Sequence, residues 1–163
     1  MATKAADNVF YKARREASSW NDRLSSREGA AEETGLDRTR LAYIELGTIN
    51  PHPEEVLILS DTYNAPELCN HFCSKMCPLG KRTIESIEVA DLEKIVIQLL
   101  STFQDLPDTT AELVNIAADG VIDLKESPQM QEILDKLTET VKHIQSLRLY
   151  YQKWKVTGQT PKK

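Results

Sequence analysis

Long apolar runs are missing from this 163-residue chain. A helix that crosses a bilayer needs about 20 consecutive apolar residues. Nothing here approaches that, and the N-terminus lacks the short apolar core of a secretion signal, so the expectation is a protein that stays in a reducing cytoplasm. Catalytic signatures are missing too. There is no Gly-rich phosphate loop, no nucleophile elbow and no His-Glu-x-x-His zinc helix, and the carboxylates fall where solvated helix faces expect them. The reading is therefore not an enzyme, with no cofactor. An excess of positive charge is also absent: the net charge is −5. The acid is unevenly spread, however. Residues 1–53 hold 8 Lys+Arg against 8 Asp+Glu, and residues 83–157 hold 7 against 13, so a DNA-facing patch can survive on the N-terminal half. Hydrophobic content of 40% and charged content of 28% are ordinary for a globular chain.

What is present is a compact motif over residues 26–47. Ser26 offers a hydroxyl N-cap to a helix reaching Thr34, with Glu28 in the first turn, where the macrodipole favours negative charge. Gly35 supplies the positive φ of a sharp exit. Asp37 is placed to cap a second helix that ends at Gly47, with Pro51 just beyond. Ala30, Ala31, Leu36, Leu41 and Ile44 fit one shared interior, leaving Arg38, Thr39, Arg40 and Tyr43 outside. A helix whose first turn shows arginines and hydrogen-bonding side chains suits a DNA major groove.

This run resembles the helix-turn-helix of the phage-repressor (Cro/Xre-type) family. Ser26, Ala31, Gly35-Leu36, Leu41, Ile44-Glu45-x-Gly47 and Pro51 match that pattern in register, and the likeness extends over residues 7–65. Arg27 stands where the family often has Gln, and Ala30 where a large aliphatic residue is usual; the link from Ser18 to Ser25 is longer than usual. The resemblance implies transcriptional regulation, usually repression, by a homodimer on double-stranded DNA. Base contacts are expected from Arg38, Thr39 and Tyr43, and backbone contacts from Arg27, Arg40, Ser26 and Arg23.

Around the motif, residues 1–6 read as frayed. Phe10, Ala13 and Ala17, with Trp20 a turn further, follow helical spacing; Trp20 reads as a lid on the core, and Lys12, Arg14 and Arg15 as a solvated basic face. Pro53, Glu54 and Glu55 suit the start of a fourth helix, whose dense Val56, Leu57, Ile58 and Leu59 suggest burial on more than one side. His52, a loop histidine without a partner, reads as solvated. A fifth helix starts at Asn64-Ala65-Pro66. On it Cys69, Cys73 and Cys77 fall at Cys-x3-Cys-x3-Cys, with His71 pointing away. Residues four apart share a helix face, so a metal or thiol sensor is conceivable, but a closed zinc site wants four ligands and there is no second arm. Free cysteines more often simply pack, so no metal is assigned. Pro78–Arg82 reads as a domain boundary.

Beyond it, Ile84 to Phe103 forms an amphipathic stripe that needs a partner surface. Leu106-Pro107-Asp108 is expected to break that helix, and a shorter one follows to Asp119-Gly120. Asp119–Asp123 with Glu126 resembles half of a calcium loop, but Ala117 lacks a ligand oxygen where one is needed, so a glycine-closed turn is preferred. A last helix starts at Ser127-Pro128. The expectation is an all-α protein: a five-helix binding domain at 1–80, a helical oligomerisation or partner-binding region at 81–157, and a disordered tail at 158–163. Two rivals are a protein-interaction module, such as an antitoxin or anti-repressor, and a thiol- or metal-responsive regulator.

Overall fold

A computed structural model describes residues 4–87 and 89–158. These residues form α-helices and no strands, in two compact units: the first is built on residues up to Ser86, the second on Ile87–Trp154. The expected tail beyond Gly158 lies outside the described residues.

In the first unit, α1 (Val9–Ala17), α2 (Arg27–Thr34), α3 (Arg38–Glu45), α4 (Pro53–Thr62) and α5 (Glu67–His71) are followed by a π-helical turn at Phe72–Met76 and a short α6 (Gly80–Thr83). The starts of α1 to α4 each have a chemical cause. The Asn8 side chain accepts from the Phe10 backbone N–H at 2.9 Å, Ser26 accepts from Gly29 at 3.0 Å, and Asp37 accepts from Arg40 at 2.9 Å, each filling a donor that a helix start leaves open. At α4, Pro53 occupies the first turn and Glu55 reaches back to accept from the His52 N–H at 2.6 Å. Phe10, Leu24, Leu41, Ile44, Leu59 and Leu68 are fully buried in a single core, each contributing roughly 1.5–3 kcal/mol relative to exposure. Ala31 and Leu36 pack against its edge.

Several expectations need correction here. Lys4–Asp7 forms a 3-10 turn with Ala5 buried, so the segment before α1 is not frayed from residue 4 onward. α1 stops at Ala17 and Trp20 is 49% exposed, not a lid, because the chain leaves the helix three residues before the indole. Arg14 is buried, not part of a solvated basic face. α4 buries Val56 and Leu59 while Leu57 and Ile58 stay exposed, so it is covered on one side only. Pro78–Arg82, expected as a boundary, overlaps α6 and lies within the first unit, which runs on to Ser86.

The second unit is a hairpin of two long helices, α7 (Leu92–Ile116) and α8 (Ser127–Thr157). Ile95, Leu99 and Tyr150 form its buried core, with Ala90 and Leu147 against them. Further along, Thr102, Leu106 and Thr109 line a small cavity with Lys136, Leu137 and Thr140. Rising numbers on α7 meet falling numbers on α8, so the pair is antiparallel. The stripe begins at Leu92 rather than Ile84: Ile84–Ile87 is non-helical. Pro107 does not break α7. It is exposed, and although it cannot donate to the Phe103 carbonyl, the buried Thr109 and Ile116 beyond it anchor the rest of the helix. Gly120, at φ 75°, closes the α7 side of the connection, and Pro128 sits in the first turn of α8. Among the described residues no helix is long and apolar enough to cross a membrane.

Candidate nucleic-acid interface

The corner between α2 and α3 is set by Gly35 at φ 69°, a backbone state that costs other residues roughly 1–2 kcal/mol. Thr34 strengthens it: its hydroxyl donates to the Ala30 carbonyl at 2.6 Å and accepts from the Leu36 N–H at 3.3 Å. Leu41 and Ile44 face the core. The opposite face of α3 carries Arg38, Thr39 and Tyr43, all exposed. Tyr43 is 48% exposed, a large aromatic with a polar tip at the surface.

The arginines, however, do not stand alone. Arg38 Nε donates to Glu28 of α2, and both side chains are solvent-exposed. The Glu28 backbone N–H together with Arg38 holds that carboxyl below its ordinary value. Arg40 is half-buried; its Nε donates to one Glu55 oxygen and its Nη2 to the other at 2.8 Å. The hydrogen bond from Arg40 is the chief reason that Glu55 titrates low. Arg23 pairs with Glu33 at 3.1 Å and remains largely exposed. Ser26 spends its acceptor on the α2 cap. Arg27 donates to Glu45 at 2.7 Å, which ties it to the interior of the domain.

Glu45 belongs to a buried network that the sequence reading missed. Arg14 Nε and Nη2 donate to its two oxygens at 2.5 and 3.1 Å. Arg14 Nη1 donates to the carbonyls of Leu24 and Ser25 at 2.9 and 3.2 Å, and its guanidinium carbon lies 5.4 Å from the centre of the Tyr11 ring. Burial works against the charge on Arg14, but the hydrogen bond and charge of Glu45 outweigh it and raise the pKa. One cation thus joins α1, the Asp22–Ser25 turn and the last turn of α3. Tyr63 faces the same group; burial, then the Glu45 charge, keeps its phenol protonated. The signal in the sequence was the spacing of Arg14, four residues after Phe10 and on the face of Ala13 and Ala17.

Cys69 on α5, Cys73 on the π-helical turn and Cys77 just after it are free and half-buried. The turn closes with the Cys77 N–H donating to Phe72 at 2.9 Å, an i to i−5 bond. Burial, then Cys77 and Cys69, push the Cys73 thiol up, which is opposite to the lowered pKa of a reactive thiol or metal ligand. His71 turns to Phe10, edge to face, at 6.4 Å. Around Asp119–Glu126 the carboxylates serve local turns: Asp119 accepts from Val121 and Asp123 accepts from Lys125 and Glu126. Among the described residues no three His, Cys, Asp or Glu side chains are grouped to hold a metal ion. No family model matches the chain, and neither the curated proteins nor the solved structures compared with it give a match.

Proposed function

We propose that this chain is a sequence-specific DNA-binding transcriptional regulator, in the manner of the phage-repressor family it resembles, with α3 entering the major groove and two copies reading a palindromic site. The observation that carries the reading is the outer face of α3. A short helix, capped by Asp37 and braced by α2 across Gly35, exposes Arg38, Thr39 and Tyr43 together. The major groove admits a helix of this kind, and a bidentate arginine on guanine is the commonest specific contact made there. Arg38 has its Nε on Glu28, and a guanine contact would use its two terminal nitrogens. Arg27 and Arg40, expected as phosphate clamps, are engaged with Glu45 and Glu55, and Arg23 with Glu33; backbone contact would rest more on Ser26 and on Arg23, whose pair is the more solvent-exposed.

Selection of bound sites from random double-stranded DNA tests this. The expected result is an enriched palindrome with half-sites one turn, about 34 Å, apart; no enrichment overturns the reading. Arg38→Ala should then relax preference at one base pair and cost ~1–3 kcal/mol, while uniform weakening on all sequences would move Arg38 to the phosphate class. A second reading, a protein-interaction module of the antitoxin or anti-repressor kind, is favoured by one observation: Arg23, Arg27, Arg38 and Arg40 are all already paired with carboxylates of this chain. It predicts only weak, salt-labile retention in a gel shift on genomic fragments.

A further inference from the structure

We propose that a second copy of this chain seats on the outer face of the α7–α8 hairpin, closing a four-helix bundle. The proposal deepens the homodimer part of the reading above by naming the surface that holds the copies together. It stands on the pattern of apolar side chains in the second unit. The α7 seam turned towards α8 includes Ile95, Leu99, Thr102, Leu106 and Thr109, at alternating spacings of four and three. One residue further on, Val96, Leu100, Phe103 and Val114 keep the same register, and all are exposed. α8 repeats the arrangement. Ile133, Thr140, Leu147 and Tyr150 share one register, and Leu134, Val141, Ile144 and Tyr151 continue it one residue later, again exposed.

The two outer seams lie on the same side of the hairpin. One residue along a helix is about 100° of rotation, so on both helices the outer seam follows the inner one by roughly a quarter-turn in the direction of the chain. Because α7 and α8 run antiparallel, that rotation is clockwise on one and anticlockwise on the other when viewed from one end. Both outer seams therefore meet on one face.

Two seams per helix is the arrangement of a bundle in which every helix touches two neighbours, and this unit supplies two of the four helices required. A second copy supplies two more of the same lengths and the same register, and a two-fold axis makes one such face complementary to itself. The eight outer residues are each 40 to 63% exposed. Together they present roughly 800 Å² per copy, about the share that each partner gives to a standard stable interface. Arg148, a turn before Tyr151, is the one charged residue in the outer registers between Val96 and Val114 and between Leu134 and Tyr151, with Glu93 and Lys155 continuing them at the helix ends. The middle of the face is therefore shaped for an apolar partner and not for an acidic or basic one.

Light scattering on the full-length protein in reducing buffer, coupled to size exclusion, reads the outcome. Reductant removes any dimer made by the free thiols. The expected mass is twice 18.4 kDa, falling to one chain in Val141→Lys/Ile144→Lys and, on the other helix, in Phe103→Glu, with helical circular dichroism retained. A wild-type monomer at tens of micromolar overturns the proposal, as does a variant that keeps its helix content and remains dimeric. Amide exchange of the wild-type protein through a dilution series needs no variant. Protection at residues 96–114 and 134–151 should drop as the mass halves, and unchanged protection overturns the seam. No DNA enters these measurements: a protein that dimerises here but enriches no site loses only the regulator reading, and one that enriches a site as a monomer loses only this face.

Discussion

Arg14 and Glu45 sit with 4% and 2% of their side chains exposed, so neither charge has water to fall back on. Arg14→Ala leaves the Glu45 carboxylate buried with Arg27 alone and should cost about 3–5 kcal/mol, whereas removing both charges in Arg14→Met/Glu45→Leu should recover much of that loss. Urea denaturation of the three proteins checks it, and a double variant no better than the single one would contradict it. His71 gives a pH dependence. Burial, then Lys75, lowers its pKa from 6.5, so the folded state binds fewer protons than the unfolded one. Its contribution to stability is complete above pH 6.5 and is lost as pH falls through the lower folded value. Melting of the wild type should therefore decline on acidification below pH 6.5, more than in His71→Gln; parallel pH profiles would contradict it. The spacing of Arg14 marked a buried face, but its partner lies 31 residues away. Only the fold brings the two together, and the presumption that arginine is solvated hid the pair. Trp20 erred the other way, since size favoured burial but the helix carrying that spacing ends at Ala17.

Among the elements, local chemistry proved the most legible. The caps at Ser26, Asp37 and Pro53 and the turn at Gly35 were all readable because each is decided by a residue's own hydrogen bonds or φ. The π-helical turn, the late start of α7 and its passage through Pro107 were not, because packing decides them. Two glycines on α2 and its corner separate these causes. Gly35→Ala has open space around it but φ 69°, so a loss of about 1–2 kcal/mol is expected, with Gly35→Asn losing less. At Gly29 a Cβ would stand 2.1 Å from the Arg23 carbonyl oxygen. That neighbour is backbone and cannot swing aside, so Gly29→Ala should lower the melting temperature further than Gly35→Ala. In α7, Pro107→Ala restores the missing donor to the Phe103 carbonyl and should stabilise the hairpin by up to about 3 kcal/mol. A lower melting temperature in that variant would mean that a bend at Pro107 is required.

At the scale of the whole molecule, the pairing of arginines with carboxylates around α2 and α3 bears on how the protein would meet DNA. The strength of salt dependence counts the phosphate charges a protein neutralises. Here Glu28, Glu33, Glu45 and Glu55 already answer the nearby arginines. Glu28→Gln frees Arg38 without touching the core, so binding to the selected site should tighten relative to random sequence with the salt slope unchanged; a slope steeper by about one would place Arg38 on a phosphate instead. The all-helical composition was legible from periodicity. This balance of charge on the α3 side was not, since it depends on which carboxylate each guanidinium reaches.

The same self-neutralisation sets how such a protein would search a chromosome. With Arg23, Arg27, Arg38 and Arg40 already matched by its own carboxylates, it would linger only briefly on arbitrary sequence and spend most encounters unattached. Occupancy of a target would then come from the match of base edges to α3, and very little from indiscriminate attraction to the duplex.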